Sequence, residues 1–270
     1  MRKLLLLTCA LFALNWNVIA QDEESPTYYH VLEYMDVAPG MGGDYEALEA
    51  VWKKIHAANI KAGKYEGWEL SSIIFPYSAD RGYNYVVRTV FNSSEQLGAY
   101  MEGWEFPDLK ELLTAEEIAM VEKTTATRTM VKSEVWTVED MVASENVEDI
   151  KIVVFNFFNN PEGKSTSDHL AVEAKYWKPI HASRVEAGEM AGWGIGVLQL
   201  PWGSDYPYQS GTVDFFRSTA EYLNLQGSFM EHFEKVHPGM DINEMMERTS
   251  SDCDLISSEV RMILDQVWRE

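Results

Sequence analysis

The sequence predicts an α+β protein built from two like halves, each running β-α-β-β-α-β, with the halves closed against each other. Three observations predict it. Residues 52–68 (WKKIHAANIKAGKYEGW) return as residues 177–193 (WKPIHASRVEAGEMAGW), an offset of 125. Held without a gap from 52 to 136, that offset gives 21 identities in 85 positions, 9 of them in the first 17, so the repeat is real. Both copies also show the same order of strand-like and helix-like stretches, and an acidic segment poor in aromatics separates them.

The elements follow in order. Residues 1–20 read as a secretory leader. Arg2 and Lys3 give the basic start, Leu4 to Leu14 the apolar run, and Val18-Ile19-Ala20 a cleavage site after Ala20. The run is shorter than the about 20 residues a membrane span needs, and no later stretch reaches that length, so the reading is secreted or periplasmic with no membrane span. Residues 21–27 form an acidic tail. The first repeat is 28–137, the linker 138–148 and the second repeat 149–270. Tyr29 to Val37 and Ile150 to Phe158 are rich in β-branched and aromatic residues and read as strands. Gly/Pro loops follow, then a helix with Asp44 or Ser167 as its cap and Gly63 or Gly188 at its close. Trp68–Phe75 with Tyr83–Phe91 reads as a strand pair, matched by Trp193–Leu200 with Tyr208–Phe216. Ser93 and Ser218 open a second helical stretch, broken near Pro107 or Pro238. A last strand runs from about Arg128 to Trp136, and from about Leu255 to Val267.

Formal net charge is −21, and loss of the leader removes two more basic residues. That balance excludes nucleic acid and anionic membrane surfaces as partners. After cleavage Cys253 stands alone, so no internal disulfide forms and packing must hold the fold. With 46% hydrophobic residues there is ample core.

A β-α-β-β-α-β unit is ferredoxin-like: its helices cover one sheet face and leave the other apolar and bare. Two such units in tandem bury the bare faces together. An opening strand, a tryptophan-bearing helix, a Gly-Trp strand start and an aromatic strand resemble the dimeric α/β-barrel superfamily. Its antibiotic-biosynthesis-monooxygenase-like and NIPSNAP-like branches are nearest, over residues 28–137 and 149–268. The resemblance implies an intramolecular dimeric α/β barrel made by tandem duplication. The superfamily includes monooxygenases, haem-degrading enzymes, haem peroxidases and chlorite-dismutase-like proteins, so fold alone does not select a chemistry.

His56 and His181 lead the candidate catalytic residues. Each follows a tryptophan, Trp52 or Trp177, by four residues and so shares its helix face. Two readings stand: a neutral imidazole that ligates haem iron or acts as a general base, or a buried imidazole that fixes helix to sheet. Glu134 and Glu259 fall mid-strand, on the face opposite Val135 and Val260. In a closed barrel they are interior acids with raised pKa values, or carboxylates paired with Lys132 and Arg261. Trp68, Trp193, Tyr83 and Tyr208, with Trp52, Trp177, Tyr77 and Trp202, are candidates to line an apolar pocket between sheet and helices, or else are core. Asp80 and Asp205 read as turn residues. No HxH, HExxH or CxxC spacing is present and no metal is assigned.

The functional expectation is an exported α/β-barrel protein that binds a small apolar molecule, with catalysis on that molecule left open. The alternatives are a haem-dependent oxidoreductase and a non-catalytic interaction module. A further homo-oligomer stays open.

Overall fold

The computed structural model describes residues 27–76, 82–103, 106–144, 149–203, 205–224 and 228–270. The expected leader, residues 21–26 of the tail, Tyr77 and Asp80 lie outside the described residues. The first half comprises β1 (Tyr29–Asp36), α1 (Gly42–Lys61), β2 (Gly67–Phe75) and β3 (Tyr85–Phe91). It continues through α2 (Ser94–Glu102), three short helices α3 (Leu109–Leu112), α4 (Ala115–Val121) and α5 (Thr124–Thr127), and β4 (Thr129–Ala143). The second half comprises β5 (Ile152–Asn159), α6 (Thr166–Val172), α7 (Lys178–Glu186), β6 (Gly192–Leu200) and β7 (Ser210–Phe216). After these come α8 (Thr219–Asn224), α9 (Phe229–Val236), α10 (Ile242–Asp252) and β8 (Asp254–Trp268).

Local chemistry explains the boundaries. Gly63 and Gly188 sit at φ +75° and +74°, the left-handed turn that stops a helix. The helix starts differ from expectation. Asp44 lies inside α1, and Ser165 opens α6, with the Asp168 carboxylate accepting from the Ser165 N–H at 2.8 Å. Between α6 and α7 the ladder widens to a π turn, Glu173–Trp177. Pro179 supplies no N–H there, so one ordinary helical bond cannot form.

The eight strands close into a barrel in the order β1-β3-β2-β8-β5-β7-β6-β4. Each half contributes four consecutive strands, β4-β1-β3-β2 and β8-β5-β7-β6. The β2·β8 and β4·β6 pairs join the halves edge to edge, which covers strand edges that would otherwise template aggregation. Pairing registers recur at the offset of 125. Gly67 faces Val90 as Gly192 faces Phe215. Ile73 faces Arg261 as Leu198 faces Trp136. Every neighbouring pair is antiparallel, so β1, β2, β5 and β6 run one way and the other four run back.

The expected linker is shorter than the sequence reading allowed. β4 continues through Ala143, and residues 138–143 pair with β6. The acidic composition looked like a connector, yet Val138, Met141 and Ala143 line the barrel, Val142 packs into the cluster around Trp193, and Asp140 pairs with Lys178 at 2.6 Å. Gly196 permits the close approach, since a Cβ there would stand 2.7 Å from the Thr137 carbonyl oxygen.

Core side chains lie on both faces of the barrel wall. Leu32, Ile73, Trp136, Phe155, Phe157 and Leu198 pack inside. Outside, Trp68, Leu70 and Phe91 meet Tyr45 and Leu48 of α1, and Trp193 and Phe216 pack with Met190 and Val154 in the second half.

Candidate functional site

Strand alternation sends His30, Leu32 and Tyr34 of β1 to one face, with Glu69 and Ser71 of β2 and Val86 and Arg88 of β3. That face is the barrel interior, which holds a chamber of about 250 Å³. The chamber lies toward the end where β1, β2, β5 and β6 begin. Its two sides differ. The first half presents His30, Glu69 and Arg88, and the second presents Val153, Val213 and Phe215. Gly211 also lines it; a Cβ there would meet the Phe155 ring at 2.6 Å, so glycine lets that ring lie over the strand.

Glu69 and Arg88 face each other across β2 and β3, and Arg88 Nη2 donates to Glu69 Oε2 at 2.6 Å. Arg88 Nε is buried and has no hydrogen-bond partner among the described residues. Burial, and then the nearby Arg88 charge, holds the His30 imidazole down at a pKa of about 3, so it is neutral at physiological pH. The Trp268 ring caps this side, with the Arg88 guanidinium 5.2 Å from its centre.

Arg261 forms the chamber floor. It donates to Glu259 from Nε at 3.0 Å and Nη2 at 2.7 Å, and lies over the Phe155 ring at 4.9 Å. Burial alone would lower its pKa, but Glu259 and Tyr34 keep it above the usual arginine range. Beyond this floor the barrel is filled. Glu134, buried, accepts from Tyr34 at 2.7 Å, Trp136 Nε1 at 3.0 Å and Lys132 at 2.8 Å, and also from Tyr206 and Tyr208. Desolvation pushes this carboxyl up, but Lys132 and the hydroxyl donors together bring it below the ordinary glutamate value. Of the two readings offered for Glu134, the structure shows the carboxylate paired with Lys132 and not the raised pKa: a carboxylate with this many donors stays ionised.

The structure brings Glu134, Glu259, Tyr83 and Tyr208 together in this polar plug, where Tyr83 donates to Glu259 at 2.5 Å. The other expected residues lie on the opposite face of the barrel wall, under the helices, as two equivalent stacks. His56 lies on Trp68 at 5.0 Å, with Trp52 alongside at 6.2 Å, and its Nδ1 is 2.7 Å from the Tyr65 hydroxyl. His181 is sandwiched between Trp193 at 5.5 Å and Trp177 at 6.2 Å. Its Nδ1 is 3.9 Å from Asp214 Oδ1. Trp52 and Trp177 donate to Thr124 and Thr249 at 3.0 and 2.9 Å, tying the long helices to α5 and α10. Burial holds both histidines at a pKa of about 3, and burial raises Asp214 to about 7. Trp202, 91% exposed, projects into solvent, as does Phe75 at 62%.

The chamber's own polar residues, His30, Glu69 and Arg88, were missed by sequence reasoning. Their signal was present: each is a charged or titratable position within a strand, on the face that alternation turns inward.

Haem does not fit the residues offered for it. His56 and His181 lie flat against indole rings within packed helix–sheet layers. A chamber of about 250 Å³ is below the size that takes a drug-sized ligand, and a porphyrin is larger still. Among the described residues no group of three or more His, Cys, Asp or Glu is placed to hold a metal ion, and no helix is long and apolar enough to cross a membrane.

No family model matches the chain, and no curated protein matches it by sequence. Solved structures do match in shape. A protein of Fusobacterium nucleatum subsp. nucleatum assigned as a monooxygenase superposes with a TM-score of 0.56 at 8% identity, covering 91% of this chain and 96% of its own. One of Lactobacillus acidophilus NCFM, likewise assigned, superposes with a TM-score of 0.52 at 11% identity, covering 90% and 97%. A haem-binding protein of Thermus thermophilus gives 0.46 at 10% identity over 89% and 94%. At these identities the likeness is one of architecture. The chain has the dimeric α/β-barrel fold, closed within one polypeptide.

Proposed function

We propose that this chain is an exported small-molecule-binding protein whose ligand site is the barrel chamber. One observation carries the reading: an interior space of about 250 Å³ with an apolar side opposite a side bearing His30, Glu69 and Arg88. A cavity of about 150 Å³ takes benzene, so this one suits a substituted single ring. Binding is favoured over acid–base catalysis, because an imidazole with a pKa of about 3 is a weak base at neutral pH.

The recurrence of the pairing registers at 125 residues supports a tandem duplication of two ferredoxin-like halves, of the NIPSNAP-like or antibiotic-biosynthesis-monooxygenase-like kind. The exposed Phe75 and Trp202 support pairing of whole chains; a chain that stays monomeric across a sedimentation concentration series removes that part.

The test of the site is Val213→Phe, which fills the chamber from its apolar side. Trp136 and Trp268 line the space and report occupancy by fluorescence. Toluene is expected to bind the wild-type chain and to bind Val213→Phe at least about tenfold more weakly. Equal binding to both sinks the assignment.

A further inference from the structure

Charge balance inside the barrel specifies the ligand further, given the chamber as the ligand site. The chamber is lined by Arg88 with Glu69, by Arg261, and by His30. Arg88 is neutralised by Glu69 at 2.6 Å, Arg261 by Glu259 at 2.7 Å, and the desolvated imidazole carries no charge. An ion entering this space leaves its hydration shell and meets no unbalanced opposite charge, a penalty of several kcal/mol in general. Yet the polar side is not saturated. Arg88 spends one N–H on Glu69 Oε2, and none of its remaining N–H groups has a partner among the described residues. Glu69 receives that one hydrogen bond, through Oε2 alone. Donors and an acceptor therefore stand side by side on one wall, opposite Val153, Val213 and Phe215.

We infer that the chamber takes an uncharged ring compound bearing a hydrogen-bond acceptor next to a donor, such as a carboxamide or lactam. The acceptor receives from the Arg88 guanidinium, the donor gives to Glu69, and the ring fills the apolar side.

Four probes of nearly one shape test this: benzamide (neutral, acceptor and donor), benzoate (anion), benzamidine (cation) and toluene (apolar). Titrations of the purified chain at neutral pH follow tryptophan fluorescence, checked by calorimetry. Benzamide is expected to bind about tenfold or more tighter than each of the other three. Two variants then move the preference in opposite directions. Glu69→Gln leaves the Arg88 charge unbalanced and shifts relative affinity toward benzoate. Arg88→Met leaves the Glu69 charge unbalanced and shifts it toward benzamidine. Benzoate or benzamidine binding the wild-type chain as tightly as benzamide overturns the inference. So does toluene matching benzamide, which leaves the chamber reading intact. Failure of all four to bind removes both.

Discussion

Replacing Arg261 with methionine removes one member of an ion pair that has almost no contact with water. The side chains of Arg261 and Glu259 are 4% and 2% exposed, so no solvent screening discounts their interaction. The guanidinium makes two charge-assisted hydrogen bonds to Glu259, at 3.0 and 2.7 Å, and covers the Phe155 ring at 4.9 Å. Methionine keeps part of the volume but removes the guanidinium charge that balances the carboxylate, with the Tyr83 hydroxyl among the groups still bonded to it. Removing one partner from a buried pair costs about 3–5 kcal/mol, a large share of the about 5–15 kcal/mol that holds a domain together. At about 2–4 °C per kcal/mol for a chain of this size, the melting temperature should fall by about 6–20 °C. The double variant Arg261→Met/Glu259→Met removes both charges and should recover most of the loss, because apolar replacement of a whole buried pair is often neutral. Urea unfolding monitored by tryptophan fluorescence measures both. A single variant within about 1 kcal/mol of wild type, or a double variant as unstable as the single, refutes the view that a stranded charge sets the cost.

Two pH-dependent outcomes follow from other buried groups. His30 is held near a pKa of about 3 when folded but titrates near about 6.5 when unfolded, so it costs stability progressively as pH falls through that window. His30→Leu should therefore be more favourable at pH about 5 than at pH about 7, by about 2 kcal/mol; a pH-independent effect in urea titrations counts against a desolvated imidazole. Asp214 is raised to about 7 by burial, so its ionised form penalises the folded state above that pH and less below it. Asp214→Asn should gain about 2.5 kcal/mol on going from pH about 5 to pH about 8, and no change across that range would contradict the shift.

The fold was legible in the sequence because its strongest signals are local and occur twice. The Trp-Lys-x-Ile-His-Ala helix, the left-handed glycines 63 and 188, and the Gly-Trp strand starts all fall where expected. The extent of β4 was not legible, since residues 138–143 are held by pairing with β6, a partner about 50 residues away in sequence. The site was legible only in part. Glu134 and Glu259 were placed on the inward face by simple alternation, but the ionisation of Glu134 depended on donors from distant elements, Tyr206 and Tyr208 among them. His56 and His181 drew attention by repeating. His30 and Arg88 did not repeat, and a search for matched pairs passes over positions where the halves differ.

Those differences are what make a chamber. At the offset that aligns the pairing registers, Arg88 corresponds to Val213 and Glu69 to Gly194, while the shared register with Trp136 and Arg261 matches His30 to Val153. Two identical halves would set two guanidinium–carboxylate pairs and two imidazoles around one axis. Those side chains would claim a space of about 250 Å³ for themselves. With valine and glycine opposite, the barrel keeps one polar wall and one slot wide enough for a ring. At the other end the halves stay more alike, with Glu134 matching Glu259 and Tyr83 matching Tyr208, and there the interior is filled by side chains that satisfy one another. On the reading of a fused tandem, joining two halves in one chain freed each wall to change alone, and the proposed ligand site sits where the walls differ.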